Sequence, residues 1–97
     1  MKAILVLLAT TVVAQASPTD NTTLKLAAKM YLADKICPGV STFDQAYHLI
    51  QIGILEEGIS YDVALSVVAH EAVKVSDYIV EHHTTAEFCN NARLANW

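Results

Sequence analysis

Residues 60–81 read SYDVALSVVAHEAVKVSDYIVE, a run of about 22 positions without glycine or proline. Tyr61, Leu65, Val68, Ala72, Val75 and Ile79 recur at alternating intervals of four and three, the period of one helical face. Asp62, Ser66, His70, Lys74, Asp77 and Glu81 fall on the opposite face. Ser60 stands where an N-cap belongs, because its hydroxyl oxygen can accept a backbone N–H of the first turn. The many valines would also suit a strand, but the length decides for helix. Val63, Val67 and Val73 widen the apolar surface, so this helix is expected to be central and to touch more than one neighbour.

Working outward, the chain before Ser60 contains two further helical patterns. Leu24, Ala27, Ala28, Tyr31 and Leu32 share one face of a helix expected from about Thr23 to Ile36, with Lys25, Lys29 and Lys35 elsewhere. Thr22 or Thr23 is the expected cap, and Cys37-Pro38-Gly39 the stop, since proline disfavours helix at the residue before it. Thr42-Phe43-Asp44-Gln45 has capping-box spacing, with Ser41 as a competing cap. It leads into an apolar stripe of Phe43, Ala46, Tyr47, Ile50, Ile54 and Leu55. Gly53 interrupts this pattern, marking either a close approach by another helix or the helix end, and Glu56-Glu57-Gly58 closes it. After His82-His83, a second box, Thr84-Thr85-Ala86-Glu87, opens a short fourth helix carrying Phe88, Cys89, Ala92 and Leu94.

At the other end, Lys2, the apolar run Ala3 to Val13 and the small-x-small triplet Ala14-Gln15-Ala16 have the build of a secretory signal peptide. Residues 1–16 are therefore expected to be removed after Ala16, leaving one helical domain over residues 17–97. The expected location is the periplasm or the extracellular space, and no membrane association is expected after cleavage, since no later run has spanning length. Asn21-Thr22-Thr23 is a formal glycosylation sequon, read as coincidental near a loose leader.

Export gives the cysteines their meaning. Cys37 and Cys89 are the only two, 52 positions apart, and an even count in an exported chain implies one intramolecular bridge. Closing such a loop is worth roughly 4 kcal/mol at the upper end, comparable with the whole stability of a small domain. The expected fold is all-α, a three- or four-helix bundle in which Cys37–Cys89 ties the end of the first helix to the fourth.

Charge and motifs restrict function. From residue 17 onward there are five Lys or Arg (Lys25, Lys29, Lys35, Lys74, Arg93) against ten acids, a balance that repels nucleic acid and favours cationic partners. The four histidines do not form a metal set: His82 and His83 are adjacent and diverge, His83 and Glu87 are separated by a helix break, and His70 shares its face with Lys74. No nucleophile elbow, phosphate loop or zinc-protease motif is present, so no catalytic residue and no cofactor are expected.

Tyr31, Tyr47, Tyr61, Tyr78 and Trp97 are more polar-tipped aromatics than a minimal bundle requires. Tyr61, Tyr78 and Trp97 are the candidate partner surface, with Trp97 either docked on the core or displayed. The expectation is a non-enzymatic protein that binds another protein, as an inhibitor, an immunity-like factor or an accessory subunit. The general plan is also similar to that of small exported acid-stress chaperones, which implies an acid- or stress-responsive holdase. A small-ligand or lipid carrier is the third expectation, requiring a cavity among the valines and isoleucines of the third helix.

Overall fold

The computed structural model describes residues 18–97. The expected signal peptide and its cleavage site lie outside the described residues. A short 3-10 turn, Pro18–Asp20, leads into α1 (Thr22–Ile36), α2 (Phe43–Glu57), α3 (Tyr61–Glu81) and α4 (Thr85–Arg93), with no strand among the described residues. The chain is an all-helical bundle carrying one disulfide. No described helix is long and apolar enough to cross a membrane.

The hub is α1 rather than α3. α1 packs against each of the other three helices, most extensively against α2 and α3. Its Leu24, Ala27, Ala28 and Ala33 are completely buried. Three alanines in this helix leave room for two neighbours to approach closely, which a helix of large residues would prevent. α3 does contact α1, α2 and α4, as its broad apolar surface implied, but α1 takes the central place.

Two stripes are rotated from the expected phase. On α3 the buried set is Ala64, Val67, Val68, Glu71, Ala72 and Ile79. Tyr61 and Leu65, expected in the seam, are exposed at its edge, and Val63 and Val73 are exposed as well. The expected polar face is exposed throughout. On α2 the buried positions are Ala46, Ile50 and Gly53, while Phe43, Tyr47 and Leu55 face outward. In both helices the closest packing selects small residues, Ala64 and Ala72 or Ala46 and Gly53, and turns the larger ones to the flank.

The caps also differ in part. Ser60 caps α3 as expected, accepting the Val63 N–H at 3.2 Å. At α1 the cap is Asn21, not Thr22 or Thr23; its Oδ1 accepts the Leu24 N–H at 2.8 Å. Neither capping box forms, for Thr42 and Thr84 make no side-chain cap. The Thr42 hydroxyl instead donates to the Met30 carbonyl at 2.6 Å, and the Thr42 N–H donates to Asp34 Oδ1 at 3.1 Å. The Thr42 N–H that Gln45 would take in the box thus goes to Asp34, and the two contacts pin the 37–42 loop to α1.

Cys37 Sγ and Cys89 Sγ are bonded, with Cα atoms 5.3 Å apart. Cys37 is the C-cap residue of α1 and Cys89 lies within α4, so the bridge joins the two elements expected. It sits in a second small core with Ala33 and Ala92, against which Val40, Phe88 and Trp97 pack. Arg93 Nη2 donates to the Pro38 carbonyl at 3.1 Å, a second tie between α4 and the loop beside the bridge.

Candidate functional site

Two clefts with no lining residue in common divide the aromatic side chains between them. The first, of about 240 Å³, opens between α2 and α3, bordered by Tyr31 of α1. Phe43, Tyr47, Tyr61 and Leu65 form its rim, and Ala46, Ile50 and Val68 belong to the buried core. Phe43, Tyr47 and Tyr61 remain 49%, 47% and 43% exposed, so folding leaves an apolar surface uncovered here. The Tyr47 and Tyr61 rings meet edge to face with centroids 6.4 Å apart, which holds α2 and α3 together at the rim. The rim exists because the small residues Ala46 and Ala64 take the buried positions and leave the rings one step around each helix.

The second cleft, of about 390 Å³, lies among α1, α3 and the C-terminal region. Tyr78 and Trp97 line it together with Phe88, Val75 and Ile79. Trp97 docks: its ring packs edge to face on Phe88 at 6.5 Å, and its main-chain oxygen accepts from Lys29 Nζ at 3.3 Å. Tyr78 is exposed and stacks on His82 with centroids 4.0 Å apart, while His82 Nδ1 donates to the Tyr78 carbonyl at 2.9 Å. Glu71 also lines this cleft and is the buried charged residue of the core, 5% exposed, with Lys74 Nζ at 3.4 Å.

Of the three aromatic residues singled out by sequence, Tyr78 and Trp97 therefore share one cleft and Tyr61 belongs to the other. Phe43, Tyr47 and Leu65 were assigned to core stripes and instead build the α2–α3 rim. Glu71 carried no signal in the pattern, being one acid among apolar residues on a helix with apolar residues on most sides. Among the described residues no group of three His, Cys, Asp or Glu is placed to hold a metal ion.

The Asn21 amide of the sequon is committed to the fold. Besides capping α1, its Nδ2 donates to Glu56 Oε1 at 3.0 Å and Glu57 Oε2 at 2.8 Å, at the far end of α2. A glycan on that nitrogen would displace both contacts. No protein-family model matches the chain, and no curated protein or solved structure matches it.

Proposed function

We propose that this is an exported, non-enzymatic binding protein that docks another protein on the α2–α3 cleft, as an inhibitor, an immunity-like factor or an accessory subunit. The observation that supports the reading is the uncovered rim of Phe43, Tyr47, Tyr61 and Leu65, each more than a third exposed beside a continuous apolar cleft. Contiguous apolar surface of this kind marks interaction sites, and tyrosine is enriched in them.

At about 240 Å³ the cleft is smaller than most small-molecule pockets, which run from roughly 300 to 1,000 Å³. A single apolar anchor side chain from a partner fits that scale. Asp44 and Asp62, both exposed, adjoin Phe43 and Tyr61, and the chain as a whole is acidic. The partner accordingly presents its anchor within a basic surface.

A photo-crosslinking residue at position 47 tests the reading, with the same residue at Val80, on the outer face of α3, as control. Crosslinks in the native envelope fraction should form from position 47 to a discrete basic protein and disappear on Leu65→Asp, with helix content unchanged. Equal crosslinking from position 80, or crosslinks indifferent to Leu65→Asp, would refute it.

A further inference from the structure

The bridge is buried, with Cys37 3% and Cys89 5% exposed, so a thiol in solution meets its cover before it meets a sulfur. Val40, Phe88 and Trp97 are the partly buried side chains packed over the small core that holds it. The three are not held alike. Val40 lies in the loop that Thr42 pins to α1 through Asp34 and Met30. Phe88 belongs to α4, beside Cys89 in the same helix. Trp97 follows the helix, on a segment, residues 94–97, in which Leu94, Ala95 and Asn96 are all exposed.

That segment is fastened at few points. Ala95 N–H donates to the Ala92 carbonyl at 3.1 Å and Asn96 N–H to the Asn91 carbonyl at 2.8 Å, folding the chain back after α4. The turn puts Ala95 in the left-handed region at φ 55°, just past the cap, where glycine is usual and a Cβ is strained. Trp97 itself is held by its edge-to-face contact with Phe88 at 6.5 Å and by Lys29 Nζ, which donates to its main-chain oxygen at 3.3 Å. Releasing so small a latch takes far less free energy than unfolding α1, α2 and α3, whose buried core shares no residue with the bridge core.

We propose that residues 94–97 are a strap that gates thiol access to Cys37–Cys89, so that a dithiol reductant reaches the bridge when the strap opens and α1, α2 and α3 are still folded. One thiolate of the reductant attacks a bridge sulfur and displaces the other as a thiolate. The second thiolate of the reductant then attacks the mixed disulfide, leaving two cysteine thiols and the reductant as a cyclic disulfide. Freed of the bridge, α4 keeps few contacts with the bundle and comes away. No residue of the strap or of the bridge core lines the α2–α3 cleft, so the strap stands or falls independently of the docking reading.

Reduction of the folded protein by dithiothreitol, at concentrations where the rate is first order in dithiol, measures the opening once quenched with iodoacetamide and read by mass. In the unaltered protein the logarithm of the rate should rise with urea, below the unfolding transition, at less than about half the slope of global unfolding, because a strap exposes little surface. Trp97→Ala should accelerate reduction about tenfold, and Lys29→Met, which keeps the apolar stem, about threefold, at unchanged helix content. Ala95→Gly should slow it by up to about fivefold, because the closed strap loses its strain. A urea slope of half the global value or more, or a rate unchanged in Trp97→Ala, Lys29→Met or Ala95→Gly, would overturn the proposal. The urea series uses the unaltered protein, so it decides the matter even where a variant fails to fold.

Discussion

Leu24 of α1 fills the space that Gly53 of α2 leaves by having no side chain. A Cβ at position 53 would stand 2.6 Å from Leu24 Cγ and closer still to Cδ2, well inside contact distance. Leu24 is also fully buried, and its N–H is held by the Asn21 cap, so it has little freedom to retreat. The glycine weakens α2 locally and allows the helix pair to approach, which is how a helix-disfavouring residue comes to stabilise the bundle.

Gly53→Ala should therefore destabilise the protein by about 1–3 kcal/mol, although alanine is the better helix former. Leu24→Ala should cost about 2–5 kcal/mol through the cavity it opens. The double variant should be less unstable than the sum, because the alanine methyl enters the vacated space. Chemical denaturation of the four proteins measures the coupling, and strict additivity would show that the two residues do not interlock.

α3 ends with His83 in the left-handed region at φ 56°, a place where glycine is usual. The turn is closed by Thr84 N–H to the Ile79 carbonyl at 2.8 Å and His83 N–H to the Val80 carbonyl at 3.2 Å. His83 is exposed, so little burial is lost with its side chain. His83→Gly should raise stability by up to about 1 kcal/mol, the relief of the Cβ strain exceeding the added unfolded-state entropy. A fall in melting temperature would show that His83 makes a favourable contact outweighing that strain.

The bridge joins α1 to α4 across 52 positions, and apart from it few contacts hold the short fourth helix. Cys89→Ser is expected to lower stability by about 2–5 kcal/mol and to release α4 first. Amide exchange should show protection lost at Phe88 and Ala92 before it is lost at Ala27 and Ala28. A variant melting within a degree of the parent would remove the bridge from any role in stability.

What was legible in the sequence follows from how local each signal is. The Ser60 cap, the Cys37-Pro38-Gly39 stop and the helix lengths are decided by residues next to one another, and they were readable. The Thr42 box was not, because the Thr42 N–H goes to Asp34 on another helix, and the hydroxyl is drawn to Met30 there as well. The phase of α3 was also hidden: valines at 63, 67, 68, 73, 75 and 80 make several faces apolar, so periodicity alone does not choose among them. The choice falls to Ala64 and Ala72, whose small size matters only once α1 lies against them. For the same reason the α2–α3 cleft is invisible in the sequence: Phe43, Tyr47 and Leu65 fall in core stripes, and of its rim only Tyr61 is also among the candidate surface residues.

Acid should open the bundle. From residue 17 onward the side-chain balance of −5 becomes +9 once the carboxylates are protonated and the four histidines charged. Repulsion among those charges opposes the compact state while the bridge remains intact. Helical circular dichroism should persist at pH 2 while binding of a hydrophobic dye rises above its pH 7 level. Some dye binding is expected already at pH 7, since Tyr61 and Leu65 are exposed there, and the increase reports Val68 and Ala72. A protein that stays folded at pH 2 with no gain in dye signal would exclude the acid-responsive holdase reading.

Asn21 acts through both ends of its amide, and one substitution separates them. Asn21→Asp keeps an oxygen for the Leu24 N–H, and aspartate caps a helix as well as asparagine does. It replaces the donor facing Glu56 and Glu57 with a third carboxylate, turning two hydrogen bonds into like-charge contacts. The expected loss at neutral pH is about 1 kcal/mol, a modest figure because the contacts are only partly buried. Like-charge contacts at a partly exposed site are screened by salt, so the deficit relative to the parent should shrink as ionic strength rises. Asn21→Ala loses the cap as well, and its deficit should persist at high salt. Denaturation of both variants at low and at high salt distinguishes the two roles; a salt-independent deficit in Asn21→Asp would show that the contacts to α2 contribute nothing beyond the cap.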